Sequence, residues 1–276
     1  MLDAAGAELD RMRRFPDAWP ELRHEAAIDE DGDGYDRNAE KRAPVLWALQ
    51  YDRRPGDLAL VRWLAEQEAE AAFQGLTEET KLAGFLLAEF RQTDDVWLQW
   101  KIKNGNYDTW CGYDVEFLFA AGVAETIDAV RASAHPERDA ALKLLLGDDG
   151  QPIVSAAELA EWFDGRRSYF PADPADEDEI TWLDRARLLD DPVLARHWLD
   201  RWADGRPRDR DTLTLLRYRL AECGSYAEAA AAQRELLAFA RSPFELAAGW
   251  RALADLERRA GNPEAARAAE KAAESG

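Results

Sequence analysis

Residues 211–240 read DTLTLLRYRLAECGSYAEAAAAQRELLAFA, and residues 244–274 read FELAAGWRALADLERRAGNPEAARAAEKAAE. In the first stretch Leu213, Leu216 and Leu220 recur at the three- and four-residue spacing of one helix face. Gly224 follows, where a chain can turn tightly, and Ala229 stands five positions after it. In the second, Trp250, Leu253 and Ala254 lead to Gly261, with Ala266 five positions beyond and Ala273 further on. Ser225 with Glu228 and Ser242-Pro243 with Glu245 carry the signature of a capped helix start, and Asn262-Pro263 gives another. Each stretch is therefore expected to be a helix, a glycine turn and a second helix whose small residues permit close approach.

The same punctuation continues towards the N-terminus. Thr77 precedes Glu78 and Glu79 and opens a stripe of Leu82, Phe85, Leu86 and Phe90. Ser155 with Glu158 forms a capping box ahead of Leu159, Trp162 and Phe163, and Asp191-Pro192 sets a cap before a first-turn proline. Helices are expected near 17–28, 43–51, 57–73, 78–91, 95–104, 114–121, 123–133, 137–146, 156–164, 180–190, 192–204, 211–223, 226–240, 244–260 and 263–274. Strict alternation of β-branched residues is not found, so the expected class is all-α. Short connections make sequence neighbours pack as antiparallel pairs stacked into an α-solenoid. Residues 165–179, with Pro171, Pro174 and the run Asp176 to Glu179, read as an acidic loop. It divides an N-terminal lobe (1–164) from a C-terminal one (180–276) or lies within one continuous domain.

The two C-terminal hairpins resemble the tetratricopeptide repeat, with Trp250 where that family favours Trp and glycines 37 residues apart, against a usual period of about 34. Glu257, Gln233 and Glu270 depart from it, standing where the family prefers aromatics. The resemblance implies a concave helical surface that binds peptides or proteins, and no chemistry of its own.

The formal net charge of the 276-residue chain is −20. Such a surface repels nucleic acid and anionic membrane and steers a cationic protein in; solubility is the plainer reading of the same charge. Two cysteines, Cys111 and Cys223, suit a reducing compartment. With no apolar leader visible before Phe15 and no spanning-length apolar run, the cytoplasm is the expected location.

Asp29 to Glu40 fits the calcium loop of an EF-hand, with Asp29, Asp31, Asp33, Tyr35 and Glu40 as ligands and Gly34 at the sharp sixth position. Asp36 at the normally apolar eighth position, Arg37 at the ninth and Pro44 in the exit helix count against it, and a solvated acidic loop is the alternative. No other cofactor is expected.

For catalysis, His24, His135 and His197 are isolated, and the phosphate, serine-hydrolase and zinc motifs are absent. Cys111, expected just outside an N-cap at Asp114, is the one nucleophile candidate. The aromatic-dense segment Trp97 to Phe119 reads mostly as core and secondarily as the lining of a groove. The leading expectation is a non-enzymatic protein-binding module, such as a bacterial immunity protein or chaperone that meets a basic toxin or effector. Its expected contact residues are Asp176, Glu177, Asp178 and Glu179, with Trp198 and Trp202 as aromatic anchors. A calcium-responsive binding protein and a Cys111-dependent enzyme are the alternatives.

Overall fold

The computed structural model describes residues 1–30, 32–71 and 75–275, and the chain divides into two compact units, Met1–Asp176 and Glu177–Gly276. It is all-α, with neighbouring helices packed on one another. The first unit holds α1 (Leu2–Arg14), α2 (Ala39–Tyr51), α3 (Leu58–Glu70), α4 (Glu78–Ala88), α5 (Val96–Lys103), α6 (Tyr107–Gly112), α7 (Val123–Ala132), α8 (Arg138–Leu145) and α9 (Ala156–Tyr169). The second holds α10 (Glu179–Leu188), α11 (Pro192–Ala203), α12 (Arg210–Glu222), α13 (Tyr226–Leu236), α14 (Pro243–Arg259) and α15 (Pro263–Ser275).

In the first unit α2 and α4 run through the core, where Val45, Leu46, Trp47 and Leu49 are buried against Leu82 to Ala88. Helix α1 was not anticipated from the sequence; it docks through the stripe Ala5, Leu9 and Met12. The helix expected over 17–28 is not formed. Pro16 and Pro20 lack amide donors, and the chain makes a 3-10 run over Pro16–Leu22. It then enters a two-stranded antiparallel hairpin, β1 (Ala26–Ile28) with β2 (Gly34–Asp36), in which Ala27 faces Tyr35. The loop expected over 165–179 is also shorter than anticipated. Helix α9 runs on to Tyr169, favoured by Arg166 and Arg167 in its last turn, and α10 already begins at Glu179. The division between the units falls at Asp176–Glu177.

In the second unit each helix packs on the next, from α10 through α15. Leu183, Leu199, Trp202, Leu220, Ala230 and Leu253 belong to its core. Gly224 and Gly261 both adopt positive φ (72° and 80°), and the following amides reach back to Leu220 O and Glu257 O at 2.8 Å. These are matching C-terminal turns in which a left-handed residue closes the helix. The three polar departures from the repeat pattern have partners: Gln233 donates to Gly249 O at 3.0 Å, buried Glu257 pairs with Arg234, and Glu270 pairs with Arg258 at 2.6 Å. Ser225 does not cap α13 through its side chain; Glu228 instead takes both Arg196 Nη atoms at 2.6 Å.

One ionic cluster joins five elements of the first unit: the 3-10 run, β2, α2, α3 and α4. Arg42, with a side chain 1% exposed, donates to Asp36 Oδ2 and Glu68 Oε1, each at 2.6 Å, and to Leu22 O at 3.1 Å. Glu68 also accepts from Thr80 Oγ1 at 3.1 Å, and Asp36 from the amides of Glu25 and Asn38. Burial pushes the Asp36 carboxyl up, but the Glu25 amide, Arg42 and the Asn38 amide outweigh it, and the group stays below the usual carboxylate range. Its contribution to stability is therefore complete above the unfolded value and fades as pH falls through the folded one. Arg42→Met strands two buried carboxylates and should cost about 3–5 kcal/mol in urea unfolding at neutral pH. Wild-type stability should decline on acidification below about pH 4, and Asp36→Asn should be less stable at pH 7 with a shallower acid slope.

Candidate functional site

The residues singled out from the sequence are not brought together. Asp178 caps α10, accepting from the Ile180 amide at 2.7 Å, and Glu179 lies in the first turn of that helix. The Glu177 carboxylate is 3% exposed and pairs with Arg185 at 3.3 Å, while Asp176 is exposed at the end of a 3-10 turn. Of the run, Asp176 and Asp178 are exposed and Glu177 and Glu179 are half-buried. Trp202 is buried in the core of the second unit, and Trp198 is half-buried, stacked on Trp182 at 5.7 Å. They share the inward stripe of α11 with Ala195 and Leu199 and pack within their own unit.

The calcium-loop pattern meets a β-hairpin in place of an entering helix. Asp29 Oδ1 accepts from the Asp33 amide at 2.8 Å, and Asp29 N donates to Asp33 O at 2.9 Å. Tyr35 lies on β2 and Glu40 in the first turn of α2; Asp31 lies outside the described residues. Among the described residues no group of three or more His, Cys, Asp or Glu side chains is placed to hold a metal ion. His135 stacks on Trp97 at 3.9 Å, His197 lies edge-on to Trp198, and His24 Nδ1 is 3.3 Å from Asp36.

Cys111 lies within α6, three residues ahead of Asp114, which stands as expected at the N-cap position of the next element, a 3-10 run over Val115–Phe119, without a side-chain cap bond; α6 itself is exposed and well supported. Asn106 and Thr109 cap it reciprocally: Asn106 Oδ1 accepts from Thr109 N at 2.7 Å, and Thr109 Oγ1 from Asn106 N at 2.9 Å. At its far end the Lys103 ammonium donates to Trp110 O and Tyr113 O, both at 2.6 Å, and burial lowers its pKa. Beneath, Tyr113 is wholly buried and its hydroxyl donates to Gln99, whose amide in turn donates to Gly84 O at 3.0 Å. A Cβ on Gly84 would stand 1.9 Å from the Tyr113 hydroxyl oxygen, so only glycine leaves room for this floor.

On that floor the outer face of α6 presents Tyr107, 79% exposed, Trp110, 44% exposed, and the thiol of Cys111. The Cys111 thiol beside the Tyr107 phenol raises the phenol pKa. Asp108 is exposed beside them. The surrounding charge is strongly asymmetric between units. Met1–Asp176 carries 36 acidic and 19 basic residues, net −17, whereas Glu177–Gly276 carries 19 and 16, net −3. The sequence marks this place by its aromatic density and by the Asn106/Thr109 cap spacing. Periodicity assigned the segment to core because it does not tell which aromatics face outward.

No known protein family, curated protein or solved structure matches the chain. The burial pattern has direct consequences. Trp202→Ala should lower stability by about 3–5 kcal/mol, read by chemical unfolding. An aromatic thiol reagent should modify Cys111 quickly and Cys223 slowly, since Cys223 is half-buried and burial raises its thiol pKa. Cys111→Ser should melt at the wild-type temperature.

Proposed function

We propose that this chain is a non-catalytic protein-binding module whose Met1–Asp176 unit engages a basic protein partner, with Tyr107 and Trp110 at the contact. The observation that carries this reading is the placement of charge: net −17 on one unit and −3 on the other. Acidity that served solubility alone has no reason to gather on one unit, whereas a field that steers a cationic partner does. Exposed Tyr and Trp on a rigid support are the side chains that dominate interface energetics, because they bury much area at little entropy cost. Neutralising a basic toxin, or holding a basic effector until it is needed, would use such a surface and needs no catalytic group. Cys111 fits the interface better than an active site: the groups described beside it are the Tyr107 phenol and the Lys103 ammonium, and the latter is already held by Trp110 O and Tyr113 O.

The test is association kinetics with the partner that co-purifies with the full-length chain. The on-rate should fall as the Debye length shortens from about 30 Å at 0.01 M salt to about 8 Å at 0.15 M. Asp108→Lys should act mainly on the on-rate. Tyr107→Ala and Trp110→Ala should act mainly on the off-rate, each raising it roughly thirtyfold if the residue is a hot spot worth about 2 kcal/mol. An acidic partner, or an on-rate indifferent to salt, contradicts the reading.

A further inference from the structure

The hairpin that stands where the calcium-loop pattern lies has one open edge. Arg37 N donates to Glu25 O and Asp29 N to Asp33 O, each at 2.9 Å, and the register between them pairs Ala27 with Tyr35. Bonded pairs alternate in an antiparallel ladder, so 25 with 37, 27 with 35 and 29 with 33 are the pairs that face inward. The amides and carbonyls of Ala26 and Ile28 then point away from β2, and among the described residues no further backbone group bonds them. Both residues are exposed, Ile28 at 75%. Opposite Ala26 on β2, Asp36 is buried, so the accessible edge is that of β1.

An open edge is ordinarily closed by a covering element, a proline, a bulge or charges. Ala26-Ala27-Ile28 carries no proline or charge, and its guards lie at the ends: Glu25 on one side, Asp29 and Glu30 on the other, and Asp33 across the turn, all exposed. Glu25 is paired with Arg37, but no Lys or Arg occurs between Glu25 and Asp36. These charges decide what the edge admits. A second copy of β1 laid antiparallel about Ala27 would set Glu25 opposite Asp29 at both ends, and like charges directly opposite destabilise a sheet. A strand with Lys or Arg at those positions gains instead, while its main chain meets the outward groups of Ala26 and Ile28.

We infer that β1 is a docking edge for an extended segment of a basic protein, added as a third strand with apolar residues beside Ala26 and Ile28 and Lys or Arg beside Asp29. The inference goes beyond the contact at Tyr107 and Trp110 and does not rest on it. Main-chain hydrogen bonds hold the segment, the exposed Ile28 side chain gives it an apolar neighbour, and the acids at the turn select its charge.

An amide-resonance titration of the isotope-labelled full-length protein with the peptide Gly-Ser-Lys-Val-Thr-Val-Lys-Ser-Gly tests this. The Ala26 and Ile28 resonances should shift saturably, and the same peptide with glutamate in place of lysine should leave them unmoved. Methylating the backbone nitrogens of both valines, which face β1, should weaken binding roughly tenfold or more. Methylating the threonine nitrogen, which faces away, should leave the affinity near that of the parent peptide. Ile28→Pro removes an outward amide that the ladder does not use and is tolerated on an edge strand. At an unchanged melting temperature it should reduce the parent peptide to the affinity of the valine-methylated one. If that variant melts lower, the methylated peptides carry the test on the wild-type chain. Shifts that miss Ala26 and Ile28, equal binding of the lysine and glutamate peptides, or equal loss from the two methylations overturn the inference.

Discussion

Arg42 is closed off from water, and its charge is met by Asp36 from β2, Glu68 from α3 and the Leu22 carbonyl. Removing any one of these elements would strand a buried charge, a far larger penalty than the loss of an exposed pair. The cluster therefore fixes the hairpin, α2 and α3 relative to one another, and Glu68 extends the arrangement to α4 through Thr80. From α4 the polar contacts continue outward. Gly84 O accepts from Gln99, Gln99 accepts from the Tyr113 hydroxyl, and Tyr113 O shares the Lys103 ammonium with Trp110 O. An exposed six-residue helix would fray if left to itself. Here its carbonyls are anchored, through α4 and a line of buried hydrogen bonds, to the same body that Arg42 holds together.

Charge in this protein is arranged at two scales. Locally, many acids are paired with arginine, as in Arg13 with Asp57 and Asp52, or Glu89 between Arg53 and Arg167. Globally, the first unit keeps a large acidic excess and the second is close to balanced. Most arginines of the second unit go into ion pairs or over aromatic rings, as Arg219 does with Asp184 and Arg206 with Trp202. Arg217 and Arg219 each keep a buried Nε without an acceptor, although the Nη atoms of Arg219 are met by Asp184.

Helix starts were legible in the sequence because capping is local chemistry. Ser155 with Glu158, Ser242 with Glu245 and the Asp191-Pro192 start all cap as their spacing implies. Gly224 and Gly261 adopt the left-handed turn their positions suggest. Ser225 with Glu228 misled because Arg196, distant in sequence, claims Glu228. The hairpin at 26–36 was masked by its acidity. Asp31-Gly32 and Asp33-Gly34 are turn dipeptides as much as cation ligands. Trp198 and Trp202 share one face of a helix, but whether that face meets core or solvent depends on α10 and α12. Tyr107 and Trp110 posed the inverse problem, for aromatic density alone reads as core.

Hydrogen–deuterium exchange of the full-length chain, alone and with its co-purifying partner, tests the central claim most directly. Protection on binding should centre on residues 104–116, with Glu177–Gly276 exchanging as in the free protein. Protection confined to Glu177–Gly276, with the amides of α6 exchanging as in the free protein, would contradict the account.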